Sequence, residues 1–146
     1  MGDGLNYMAK LKYDDGLIKI YLGNNLDILS SMESESVDCI ITDPPYGIEF
    51  QSNRRIEKLD KLENDDNLDW VEATFTEIWR VMKKNSLCLS FCPWSEVEHF
   101  IIPWKKIGFR FISKFVFIKN NFGMGYFTRS GHEEAFLLAK GKPPVP

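Results

Sequence analysis

Long apolar runs are missing from this 146-residue sequence. No stretch approaches the roughly 20 residues that a membrane-spanning helix needs, so no membrane role is expected. The amino terminus, Met1-Gly2-Asp3-Gly4, carries neither an apolar signal core nor a basic targeting pattern. Cysteine is scarce and odd in number: Cys39, Cys88 and Cys92 lie in strand-like apolar runs. That excludes a disulfide scaffold and points to a reducing, cytoplasmic setting. Cys88 and Cys92 share a strand face, so a metal is conceivable, but buried thiols are the simpler reading. His132-Glu133 has no second histidine at metalloprotease spacing, which rejects zinc chemistry. Nor is there a surplus of positive charge: 18 Lys and Arg face 21 Asp and Glu, a net charge of −3.

What is present is one domain, residues 1–146, 44% hydrophobic and long enough for a real core but too short for two. Residues 7–21 predict a hairpin, two alternating runs separated by Asp14-Asp15-Gly16, with Asp-Gly supplying the positive φ angles of the turn. Gly23-Asn24-Asn25 ends the second strand, and Asn25 is placed to cap a short helix reaching about Met32. After the polar link Glu33-Ser34-Glu35-Ser36, the β-branched run Val37 to Thr42 predicts a central parallel strand. Residues 47–68 are polar and charged, a mobile loop over a site or a solvated surface loop.

From Asp69 to Lys84 the apolar positions follow helical spacing, with Lys83-Lys84 closing the helix against its macrodipole. Ser86 to Cys92 predicts the next strand. Ser95 and Glu98 form a capping box for a helix from Glu96 toward Lys106, bent at Pro103. Trp94 and His99 read as core packing and a solvated helix face rather than catalysis. Phe109 to Ile118 alternates as a strand, its Phe109, Phe111, Phe115 and Phe117 stripe taken as core. Asn120 to Ser130 is a glycine-rich, aromatic loop, Glu133 to Lys140 the closing strand, and Gly141 to Pro146 an extended exit.

The chain is organised around Asp43-Pro44-Pro45-Tyr46, directly after the β-branched run. In open α/β sheets the ligand crevice lies just past such strand ends. Two prolines stop the strand and stiffen the turn, leaving a carboxylate, prolyl carbonyls and an aromatic ring exposed. That set suits methyl transfer to the exocyclic amine of a nucleic-acid base, whose lone pair is delocalised into the ring. A carboxylate from Asp43 and the Pro44 carbonyl, each accepting one N–H, draw the nitrogen toward sp³ geometry, and the face of Tyr46 stacks on the base once it leaves the duplex. The work is positioning and electrostatics. Taken alone, the tetrapeptide also reads as an Asp-Pro turn closing a strand.

Three ordered stretches, Gly23-Asn24-Asn25-Leu26-Asp27-Ile28-Leu29, Asp43-Pro44-Pro45-Tyr46 and Asn121-Phe122-Gly123-Met124-Gly125-Tyr126-Phe127 with His132-Glu133, together resemble the amino-methylating DNA methyltransferases, the adenine-N6 and cytosine-N4 family. The resemblance implies an S-adenosylmethionine-dependent enzyme acting on DNA, in a bacterial or phage-like restriction-modification context. Asp43, Pro44 and Tyr46 would be catalytic, and Asn24 and Asp43 would contact the cofactor. In the family the position of Asn24 is usually an acid; as an amide it keeps hydrogen bonding but loses the charge-assisted bond, and a turn or cap role competes. Tyr46, Tyr126, Phe127 and Arg129 would meet the flipped base or the DNA. Asp rather than Ser at position 43 favours adenine N6 within the family. No metal is implied.

The family's downstream glycine-rich cofactor loop, Phe-x-Gly-x-Gly between strand and helix, does not occur in residues 1–146. The expected fold is therefore an incomplete three-layer α/β sandwich, a Rossmann-like methyltransferase fold with a mixed sheet. A second chain or homodimer would complete the cofactor pocket. The net charge of −3 sits awkwardly with a DNA partner unless the basic residues cluster or the main DNA-binding segment lies elsewhere. Two alternatives stand: a non-catalytic remnant or split subunit acting through a partner chain, and methylation of an amine in RNA or of a protein glutamine.

Overall fold

The computed structural model describes residues 10–46, 68–120, 127 and 131–145. The loop over 47–67, the first residues of the predicted hairpin, and Tyr126 and Arg129 lie outside the described residues.

A two-stranded antiparallel sheet, β1 (Lys10–Asp14) and β2 (Lys19–Leu22), precedes a short helix, α1 (Asn25–Ser31). Strand β3 (Val37–Thr42) follows, then α2 (Trp70–Val81), β4 (Met82–Phe91), a 3₁₀ turn over Trp94–Glu96, α3 (Val97–Ile107), β5 (Arg110–Ile118) and β6 (His132–Lys140). The larger sheet has the order β3-β4-β6-β5, with β3 and β4 parallel and the remaining pairs antiparallel. This is the mixed sheet expected from the chain's helix-free closing strands.

Local chemistry explains where the boundaries differ from expectation. In the first turn only Gly16 takes a positive φ, 86°. Asp15 does not; its Oδ1 instead accepts the backbone N–H groups of Leu17 and Ile18 at 2.9 and 2.7 Å, an Asx-type turn. Helix α1 is capped one residue earlier than predicted, by Asn24, whose Oδ1 accepts from Leu26 N at 2.9 Å. Helix α2 ends at Val81, and Lys83-Lys84 already belong to β4. The cation at the helix end is Lys140 from β6: its ammonium donates to the carbonyls of Trp79 and Met82 at 2.8 and 2.7 Å. The Ser95–Glu98 capping box is replaced by the 3₁₀ turn, with Glu96 at the N-cap position and no side-chain cap bond.

The core lies between the sheet and helices α2 and α3. Phe75, Phe100, Trp104 and Phe109 meet edge to face or tilted, with ring centroids 5.3–6.4 Å apart, over Cys88 and Leu138 of the sheet. The phenylalanine stripe of β5 does not all join them. The strand slips register between Phe111 and Ser113, so Phe111 stays with Trp104 at 6.1 Å while Phe115 and Phe117 turn to the opposite face and are 46% and 44% exposed. Strand β3, predicted as central, is an edge strand among the described residues, paired with β4 alone. Trp94, predicted as core, is 76% exposed.

Candidate active site

The strand β3 delivers Asp43-Pro44-Pro45-Tyr46 as an extended segment at its carboxyl end, beside the end of the parallel β4. Asp43 is exposed and the two prolines and Tyr46 are half-buried. The Tyr46 hydroxyl donates to Asp43 Oδ1 at 2.6 Å. Burial, and then the Asp43 carboxylate that holds its proton, push the Tyr46 phenol well above the usual tyrosine range, with Glu133 and Cys92 acting in the same direction. The site thus gathers the ends of β3 and β4 and the start of β6 at one edge of the sheet, the position where open α/β sheets hold ligands.

Asp43, Pro44 and Pro45 also line a cavity of about 490 Å³ between α1, β3 and α2. Its other walls are largely apolar: Ile28 and Leu29 from α1 with Met32 just after it, Ile40 from β3, and Trp70, Phe75 and Ile78 from α2. Among them is Thr74, 3% exposed, whose Oγ1 has no hydrogen-bond partner among the described residues. A buried hydroxyl left unsatisfied costs about 1–3 kcal/mol, and a cavity of this size with few polar groups has the character of a ligand pocket. Arg80 ties the two helical walls together, donating to Leu29 O and Met32 O of α1 at 2.8 and 3.0 Å while paired with Glu77.

Of the residues singled out from the sequence, the structure brings together Asp43, Pro44 and Tyr46. Asn24 sits at the start of α1, next to the cavity-lining Asn25, with its side-chain oxygen engaged by the helix cap. Phe127 is exposed. Sequence reasoning missed Thr74, whose polarity amid an apolar helix face was the available signal, and set aside Trp94, which stands exposed just past the end of β4 on the ligand-facing edge. The cysteines divide: Cys88 and Cys92 are buried, with burial pushing both thiols up to about 12, whereas Cys39 is exposed.

Comparison with known proteins agrees with this fold. The N6/N4 methyltransferase family model, described as DNA methylase, matches residues 37–145. The proposed methylase YubD of Escherichia coli (strain K12) is 32% identical over 124 residues, covering 85% of this chain and 53% of YubD. Among solved structures, the M1.HpyAVI–SAM complex superposes with a TM-score of 0.56 at 18% identity, covering 85% of this chain and 55% of that one. The cytosine-N4-specific PvuII DNA methyltransferase superposes with a TM-score of 0.64 at 15% identity, covering 86% and 50%. The likeness is one of fold, the Rossmann-like methyltransferase fold with a mixed sheet, and the chain spans about half the length of the relatives it matches. With the family model covering most of its length, the chain belongs to the N6/N4 DNA methylase family.

Proposed function

We propose that residues 1–146 form the catalytic-motif domain of an S-adenosylmethionine-dependent DNA methyltransferase that modifies the exocyclic amine of a flipped base, adenine N6 in preference to cytosine N4. The observation that carries this is that Asp43 and Pro44 line the apolar cavity, past the end of a parallel strand. The adenine preference rests on Asp at position 43; the fold is shared with a cytosine-N4-specific enzyme and does not separate the two.

The residues fit the cofactor: a carboxylate lining the cavity, a buried Thr74 hydroxyl with no partner among the described residues, and Asn24 at the start of the α1 wall. S-adenosylmethionine, when bound, supplies an electrophilic methyl group. The chain's own part is to hold the amine: the Asp43 carboxylate accepts one N–H, the Pro44 carbonyl the other, and the ring of Tyr46 stacks on the base. Tyr126, Phe127 and Arg129 are the proposed further contacts to base or DNA. The setting is cytoplasmic, in a restriction-modification system. The chain spans about half the length of the relatives it matches, and the proposal includes a second chain or a homodimer completing the cofactor pocket. The second reading, a subunit that keeps the fold but does no chemistry, is favoured by Asn24 standing where the family usually carries an acid and by the net charge of −3.

Calorimetric titration of the purified chain with S-adenosylmethionine, alone and with Asp43→Ala, tests the pocket; binding altered by the substitution is expected in whichever assembly is competent. In that assembly Asp43→Asn should slow methylation by an amount equivalent to about 2–4 kcal/mol. Unchanged turnover removes Asp43 from the mechanism.

A further inference from the structure

The Tyr46 hydroxyl and the Asp43 carboxylate are bonded to each other, and the chain between them favours it. The separation, 2.6 Å from hydroxyl oxygen to Oδ1, is that of a charge-assisted O–H···O⁻ bond, stronger than a neutral one. Between the two residues stand Pro44 and Pro45, whose rings fix φ and restrict the residue before each. Much of the ordering cost of bringing Tyr46 back onto Asp43 is therefore met by the backbone before the bond forms. Asp43 is exposed, and among the described residues Tyr46 is the sole hydrogen-bond donor to its carboxylate. Without that donor the carboxylate would turn about its own Cβ–Cγ bond in water. With it, Oδ1 is held and Oδ2 is left to accept from a ligand.

The other groups that act on the phenol leave this bond to Asp43. Glu133 is paired with Lys119, and Cys92 keeps its proton because burial pushes the thiol up to about 12. Tyr46, half-buried and raised well above the usual tyrosine range, stays a donor throughout the neutral range.

We propose that Tyr46 is a positioning residue for Asp43: its hydroxyl holds Oδ1 and aims Oδ2 at the exocyclic amine, while the ring of the same side chain carries the base. The stacking face and the acceptor then form one rigid unit, and the hydrogen bond sets the spacing between them. A base that settles on the ring finds the acceptor already oriented. The inference rests on the catalytic reading of Asp43 and adds to it a function of the hydroxyl, separate from the stacking of the ring.

Tyr46→Phe separates the two functions, since it keeps the ring and removes the hydroxyl. Methyl transfer from tritiated S-adenosylmethionine to unmethylated duplex DNA is measured with the full chain in its cofactor-competent assembly. Tyr46→Phe should lower kcat about 10- to 100-fold and change KM for DNA less than about threefold. Tyr46→Ala, which also loses the stacking face, should lower kcat and raise KM together. Native kcat in Tyr46→Phe overturns the positioning role and leaves the catalytic reading standing. A Tyr46→Phe variant that raises KM as much as Tyr46→Ala also overturns it, by making the hydroxyl a binding contact. No transfer by the native protein removes the catalytic reading of Asp43, and this role with it. An isotope label at the tyrosine ζ carbon reports the bond itself by NMR, in the purified chain and without turnover. The Tyr46 resonance, identified by its absence from Tyr46→Phe, should move in Asp43→Ala, and its ionisation should fall toward the usual tyrosine range. A resonance and an ionisation indifferent to Asp43→Ala, in a variant shown to be folded by circular dichroism, overturn the proposal whatever the activity.

Discussion

The two faces of the main sheet are made from the same four strands and differ in almost every other respect. On one, Trp104, Phe75, Phe100 and Leu138 are buried to within 1% of complete exclusion from solvent; on the other, Phe115, Phe117 and Ile41 stand at 44–72% exposure. Composition does not separate them, since both are apolar. What separates them is that α2 and α3 supply a second layer to one side only, so apolar character in a strand reports what a face is built to meet, while burial reports what it has met.

The sharpest way to break the contrast is truncation on each side. Trp104→Ala should cost about 3–5 kcal/mol of stability, measured by urea unfolding, because its cavity is lined by packed aromatic rings. Phe117→Ala, a chemically similar loss on the open face, should cost about 1 kcal/mol or less. Equal penalties would mean that the open face already contributes to the core. Between these lies Lys140→Met, which keeps much of the buried stem but removes the donor from the carbonyls of Trp79 and Met82; a loss of about 1–3 kcal/mol is expected from the same assay.

Thiols sharpen the comparison further, because register puts Cys39 opposite Leu87 and Cys88 opposite Ile40, on alternate faces. In native protein near pH 8 a thiol reagent should modify Cys39 quickly and leave Cys88 and Cys92 untouched until urea is added. Burial raises both buried thiols from about 9 to about 12. Below the unfolded value both states keep the proton and the stability is fully present. As pH rises from about 9 toward about 12 the unfolded chain ionises first, so stability should fall through that window, and Cys88→Ala with Cys92→Ala should flatten the fall.

Much of this was legible in the sequence, and the failures share a cause. The β-branched run ending at Asp43, the helical spacing of Val71, Phe75 and Ile78, and the closing strand over Glu133 to Lys140 are local patterns, and each produced its element. Lys83 and Lys84 misled because a basic pair suits a helix end, whereas the cation that α2 uses arrives from Lys140, distant in sequence. The Phe stripe of β5 misled because period-two counting assumes unbroken register, and one slip after Phe111 reverses the faces. The pairing of Asp43 with Tyr46 was readable as proximity in a proline-stiffened turn, but the hydroxyl donated to the carboxylate was not, nor was Thr74, whose unpartnered oxygen becomes visible only when α1, β3 and α2 enclose a cavity.

The junction between α2 and β4 has a mechanical consequence. Val81 closes the helix and Met82 opens the strand with no linking residue, while Ser36 N and Glu35 N, just before β3, donate to the carbonyls of Val81 and Arg80 at 2.9 and 3.0 Å. The helix end and the chain entering β3 are thus clamped at one point, whereas β4 steps out of register just beyond it, from Met82 to Leu87 against Val37 to Cys39, with Asn85 at φ 59°. The wall formed by α2 is tied instead to the segment that leads into β3 and on to Asp43. The pocket is therefore pinned where α2 ends, and the adjustment a ligand demands is expected at the far end of β3, toward Asp43.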